Sequence, residues 1–173
     1  GMKTSRFTWV MARPSDYPGR GLRDYGYRYV ATAKPDGHCM IYADKQAGIT
    51  TLDQAKGRKW VMPEAVAYMS RLCRAELRDK GIDLTTQTVH HVREQGAVKF
   101  YLDNGFAQVG GVASYAGVRK QFDKDGAVLV HKSVPQPYFP LIASAEVSPA
   151  QVQAVQRMLS SLKGDAAGQA VLA

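Results

Sequence analysis

The chain has no apolar run approaching the roughly 20 residues that a bilayer-spanning helix needs, which excludes a helical membrane span. Cysteine is scarce. Cys39 and Cys73 are too few for a disulfide scaffold, and their spacing is not that of a metal site. Acidic residues are in deficit, 15 against 23 Lys and Arg, so the 173 residues carry a formal charge of +8. That excess favours anionic partners without choosing among small anions, nucleic acid and a membrane surface. There is no G-x-G-x-x-G, no G-x-x-x-x-G-K-[ST] and no G-x-S-x-G, so neither a nucleotide fingerprint nor a hydrolase elbow is present. Internal repeats and low-complexity tracts are absent as well.

What is present is the composition of a globular chain, 45% hydrophobic and 22% charged, long enough for one domain or two small lobes. Gly1-Met2 reads as a cleavage remnant ahead of a start methionine, and Lys3 to Ala12 is too short for a secretory core. Either an export signal has been removed or the chain continues a longer protein.

Apolar runs of strand length alternate with helical stretches. Strands are expected at Phe7–Ala12, Tyr27–Ala33, Cys39–Ala43, Lys59–Met62, Thr86–Val92, Phe106–Ala113, Ala127–His131 and Tyr138–Ala145. Helices are expected from Pro63 to Lys80, where Gly81 supplies the stop, over Ala97–Leu102 and Tyr115–Phe122, and from Ala150 to about Leu162. The last is capped by Ser148 with Pro149 behind it. The alternation argues for an α/β fold with mainly parallel sheets. In such folds ligands gather where strand C-terminal ends meet helix N-termini.

Few residues suggest chemistry. His90 and His91 are neighbours on a strand, so their side chains point to opposite faces and cannot chelate one metal together. His38-Cys39 reads as a turn residue beside a buried thiol. Arg71, Arg74 and Arg78 share one helix face with Glu76 and Asp79 interleaved, which is a solvated face. No aromatic stacking residues stand beside it, so no nucleic-acid groove is expected. No catalytic constellation emerges, and neither a metal site nor a cofactor is expected.

The order of the elements resembles a known family. Gly26-Tyr27-Arg28-Tyr29-Val30-Ala31, followed by Leu52-Asp53-Gln54-Ala55-Lys56-Gly57-Arg58-Lys59-Trp60-Val61-Met62-Pro63, is similar to the GYxxVA strand and sLxdLKGkxVaxP segment of phosphate/phosphonate-type periplasmic substrate-binding proteins of ABC importers. Arg74 to Asp83, Val98 to Gly111, Tyr138 to Ile142 and Val147-Ser148-Pro149 follow in the family's order, over about residues 7 to 165. The resemblance implies a two-lobe type II periplasmic-binding-protein-like fold whose first lobe is incomplete. Lobe 1 would be residues 2–41 and 136–173, and lobe 2 residues 42–135. It further implies a periplasmic solute-binding component with no enzyme activity. Its ligand would be a small anion, phosphonate- or phosphate-like, in the inter-lobe cleft, and its partners the transporter's membrane subunits. Hinge closure around the ligand belongs to this class.

The chain departs from the family pattern in two respects. Where Ser/Thr donors belong it has Pro63-Glu64-Ala65-Val66, and Gln95 and Gln108 replace a His and an Asp. Glu64 near a phosphate would repel it, unless the carboxylate points to solvent. Two strand–helix units ahead of GYxxVA are missing, which leaves sheet edge exposed in lobe 1. A homodimer through Trp9, Val10, Tyr29, Val30, Leu141 and Ile142 is the expected remedy. The topological rule nominates Arg13, Ser15, Tyr42, Tyr68, Gln95, Ser114 and Tyr115 as ligand-binding residues, at strand-to-helix turns or the hinge. The alternatives are a cytoplasmic effector-sensing domain of the LysR-regulator architecture, a degenerate binding protein without ligand, and an enzyme on the same fold. The enzyme would have to rely on Cys39.

Overall fold

The computed structural model describes residues 1–12 and 16–172. In chain order the elements are β1 (Trp9–Met11), α1 (Asp16–Asp24), β2 (Arg28–Thr32), β3 (Cys39–Ala43), β4 (Lys59–Pro63) and α2 (Tyr68–Asp79). They continue with β5 (Thr88–Val92), α3 (Gly96–Asp103), β6 (Val109–Ala113), α4 (Arg119–Asp125) and β7 (Val128–Lys132). The chain closes with β8 (Pro140–Ala143), α5 (Pro149–Ser161) and α6 (Ala166–Leu172). It divides into two compact units, one of residues 1–36 and 137–173, the other of residues 37–136. The expected division at 41/42 differs, because β3 pairs along its whole length with β6 and along most of it with β7, and so belongs to the second unit.

The discontinuous unit carries a three-stranded sheet in the order β1-β8-β2, both pairings antiparallel. Val30, Ala143, Val147 and Val152 form its core, and Gln156 of α5 donates to the Val30 carbonyl at 2.9 Å. α1 lies close on β8: a Cβ at Gly21 would sit 2.9 Å from Ile142 Cδ1. Val30 and Ile142, expected on an open face, are therefore buried, whereas Phe7, Trp9, Met11 and Tyr29 are exposed. β1 pairs with β8 alone and is an edge strand.

The second unit carries five strands in the order β5-β4-β6-β3-β7. β4 is parallel to β5 and β6, but β3 runs against both of its neighbours. The larger sheet is thus mixed and the smaller one antiparallel, rather than both being mainly parallel. The strands returning from a connection, β3 and β8, each enter between two strands of the opposite direction, and strand composition does not encode direction. Every residue of β3 is buried. Cys39, Ile41 and Ala43 face α2 through Met69, Cys73 and Leu77, while Met40 and Tyr42 face α3 and α4 through Val98, Leu102 and Phe122. Burial on both faces explains a near-continuous apolar run in place of alternation. Gly110 is needed for close packing, since a Cβ there would come 2.6 Å from Val98 Cγ1.

Pro63 was expected to open a helix and instead ends β4; α2 begins at Tyr68. Its other end is as expected. Gly81 takes φ +80° and the Ile82 amide donates to the Leu77 carbonyl at 2.8 Å, the left-handed stop that a residue without Cβ adopts freely. α5 likewise carries the expected cap, with Ser148 Oγ accepting from Gln151 N and the Gln151 side chain answering.

Cys39 and Cys73 form a disulfide that ties β3 to α2 across a separation of 34 residues. Closing a loop of that size removes unfolded-state entropy, an effect on the order of 2–4 kcal/mol. Urea unfolding of the protein with and without reductant should show a loss of that size, and thiol titration of the unreduced, denatured chain should find no free thiol. Equal stability in both states would contradict the linkage.

Candidate functional site

β4, β5, β6 and β7 all end on one edge of the second unit, and β3 starts there, because β3 is antiparallel to both β6 and β7. The chain enters the unit at this edge and leaves from it. Gly37 N donates to the Gln136 carbonyl at 2.7 Å, and Gln136 N returns the bond at 2.8 Å. A second pair joins Ser114 N to the His38 carbonyl and His38 N to Ser114 Oγ, both at 2.9 Å. Ser133 completes the clasp: its Oγ accepts from Cys39 N at 2.9 Å, and its amide donates to the Cys39 carbonyl at 2.9 Å.

Four of the nominated residues converge here. Tyr68, the first residue of α2, donates through its hydroxyl to Gln136 Oε1 at 3.2 Å, and burial pushes its ionisation above the usual tyrosine range. Ser114 follows β6 directly and bonds His38 as above. The ring of Tyr115 covers Gly37 so closely that a Cβ there would stand 3.2 Å from Cε1. Gln95, at the turn between β5 and α3, accepts from Ala113 N at 2.6 Å and pins that turn to the end of β6. α2 has no side-chain cap, so the amides of its first turn face the edge without a competing side-chain acceptor. Glu64, one turn earlier, is exposed.

The other nominations fare differently. Arg13 and Ser15 lie outside the described residues. Tyr42 is not at a crossover but in the body of β3, opposite Gly110. Its ring stacks on Phe122 with centroids 4.5 Å apart, and its hydroxyl donates to Asp123 Oδ1 at 3.0 Å. Burial first, and the Asp123 carboxylate second, push its ionisation up to about 12. Gln108 stands at the start of β6, away from the edge, where its Oε1 accepts from Lys59 N at 3.1 Å. His90 and His91 point to opposite faces: His90 lies beside Tyr101 of α3, and His91 Nδ1 is 2.9 Å from the Pro63 carbonyl.

Gln136 and Ser133 belong to the edge and were not nominated. The signal for them was the Ser133-Val134-Pro135-Gln136-Pro137 stretch, whose prolines favour extended backbone at an exit from the lobe. Among the described residues no three His, Cys, Asp or Glu side chains stand together as a metal site would need.

These features agree with what the comparisons show. The family model described as "ABC transporter, phosphonate, periplasmic substrate-binding protein" matches residues 2–173. The chain belongs to this family of periplasmic substrate-binding proteins, which bind solutes for ABC transporters and are not enzymes. Membership implies a small-molecule ligand and membrane-embedded transporter subunits as partners.

Solved structures share the type II fold. PhnD1 from Prochlorococcus marinus, in complex with methylphosphonate, superposes with a TM-score of 0.74 at 10% identity, over 99% of this chain and 71% of its own. XAC2383 from Xanthomonas citri, bound to ATP, gives 0.72 at 16% identity, over 99% and 70%. The aliphatic sulphonate binding protein SsuA from Escherichia coli gives 0.72 at 13% identity, over 98% and 58%. This chain is thus shorter than its structural neighbours. No curated protein sequence matches it.

Proposed function

We propose that this protein is the solute-binding component of an importer, working in the periplasm, and that it holds a small anion at the strand-end edge of residues 37–136. The observation that supports this most is the uncapped first turn of α2 standing on that edge beside the Tyr68 hydroxyl. Free backbone amides and the positive end of the helix dipole suit an oxyanion, and the tyrosine gives an apolar wall for the group attached to it. Glu64 sits where other members of the family are expected to place hydroxyl donors, but it is exposed to solvent, so the preference for an alkyl-substituted oxyanion rests on the apolar face of Tyr68. Alkylphosphonates and alkylsulfonates, the ligand classes named for PhnD1 and SsuA, fit better than phosphate.

The Cys39–Cys73 disulfide supports an oxidising compartment and weighs against the cytoplasmic effector-sensing alternative. The exposed Trp9, Met11 and Tyr29 support a homodimer through the discontinuous unit. Light scattering that finds only monomer at all workable concentrations would remove that element.

Ligand binding is tested by thermal unfolding with methylphosphonate, ethylphosphonate, ethanesulfonate and phosphate. A ligand present at 100 times its Kd adds roughly 2.7 kcal/mol, which in a chain of this size raises Tm by about 5–10 °C. Alkylphosphonate or alkylsulfonate should give that rise and phosphate a smaller one, with the rise reduced in Ser114→Ala and Tyr68→Phe. Flat Tm values with every compound at millimolar concentration would contradict the proposal.

A further inference from the structure

A cavity of about 170 Å³ lies between α2 and the edge strand β5, on the face of the sheet that α2 covers. This is several times the roughly 30 Å³ that a water molecule occupies in the liquid. Met62, Leu84 and Val89 supply its apolar lining. Ser70, Arg74, Thr85 and His91 supply the polar lining. It lies beside the strand-end edge and shares with it only Ser70, in the first turn of α2; Gly37, His38, Tyr68, Gln95, Ser114 and Gln136 do not line it.

The polar groups are not equivalent. Ser70 Oγ donates to the Pro63 carbonyl at 2.9 Å, so its hydrogen is spent. Thr85 Oγ1 donates to Asp83 Oδ1 at 2.7 Å, so its hydrogen is spent too. The carbonyl of Pro63 can only accept, which assigns the His91 ring hydrogen to Nδ1. Asp83, a carboxylate on which Arg74 acts electrostatically, already receives the hydroxyl and the amide of Thr85 on one oxygen. Those two bonds, with Arg78 and Arg74 adding, hold its carboxyl below the usual range.

Arg74 is the exception. Its Nε is closed off from solvent and has no hydrogen-bond partner. Of the three arginines expected on one solvated face of α2, Arg71 and Arg78 are exposed while Arg74 turns against the cavity beside Ser70. Arg74 as a whole is half-buried, so only this one N–H is shielded without an acceptor, and the rest of the guanidinium fork stays free to take an anion.

We propose that this slot is a second anion site, in which Arg74 takes the oxyanion head of a small monoanion while its short alkyl group lies against Met62, Leu84 and Val89. One guanidinium matches one negative charge, and its planar fork matches a carboxylate, so the preferred occupant is a short-chain carboxylate. Phosphonates share the oxyanion chemistry, and the experiment separates the two.

The test is an NMR titration of the full-length protein at fixed ionic strength, following the Arg74 Nε–H signal identified by its absence in Arg74→Lys. Sodium propionate and methylphosphonate are the probes. A saturable shift of that signal with propionate is expected, weaker with methylphosphonate and retained in Gln95→Ala. In Arg74→Met the affinity for propionate, read by calorimetry, should fall at least tenfold. Should that variant fail to fold, the titration of the unaltered protein still decides. A signal that no probe moves up to tens of millimolar, or that drifts without saturating, overturns the slot in favour of ordered water. The outcome is independent of the strand-end reading: methylphosphonate that perturbs only amides at residues 37–38, 68–69 and 113–116, with propionate leaving the Arg74 signal unmoved, would support that edge and sink the slot.

Discussion

The structure of residues 37–136 depends on the pairing of the segment that enters with the segment that leaves. The reciprocal Gly37–Gln136 hydrogen bonds, the His38–Ser114 pair and the Ser133–Cys39 pair fix the start of β3 to the ends of β6 and β7. Because β3 is inserted against its neighbours, this clasp sets the register of the whole five-stranded sheet. A one-residue slip would exchange the faces of Cys39, Ile41 and Ala43 with those of Met40 and Tyr42. The disulfide to Cys73 holds α2 to the same strand, so the helix start that offers its amides is anchored where the chain enters.

This arrangement connects packing to function. An edge at which parallel strands end is rich in backbone groups whose ladder has stopped, and it is also the place where helices begin. Here much of that hydrogen-bonding capacity is used by the clasp, and the first turn of α2 is left uncapped beside Tyr68. At the opposite end of the sheet a pocket of about 240 Å³ is lined by charged groups that already pair with one another. Lys99 bridges Asp103 at 2.8 Å and Asp125 at 2.7 Å, linking α3 to α4, and Gln108 ties β6 to β4. The two ends differ in what they offer a ligand, through topology, which places helix starts at one end only, and through side chains, which pair the charges at the other.

Much of this was legible in the sequence where local chemistry decides the structure. Ser148-Pro149 marked the start of α5, Gly81 marked the end of α2, and the adjacent histidines had to face opposite ways. Features set by tertiary pairing were not legible. Pro63 could equally open a helix or close an edge-proximal strand, since its missing N–H is harmless in either place. β3 is apolar on both faces, so Cys39 to Ala43 gave no period from which to see that Tyr42 lies deep in the strand and that the crossover ends five residues earlier. Arg74 was read with Arg71 and Arg78 because helical spacing alone cannot tell the flank of a buried face from its exposed centre. The disulfide joins residues 34 apart, and nothing local announces it.

The central claim is that the clasped strand-end edge is the ligand-binding surface of residues 37–136. Amide hydrogen exchange, compared with and without saturating alkylphosphonate or alkylsulfonate, tests it most directly. The account predicts that added protection concentrates at residues 37–38, 67–70, 95–96, 113–116 and 133–136, while the far end around residues 103–108 and 125–128 is unchanged. Protection that builds at that far end, or that is spread evenly over the unit, would contradict it.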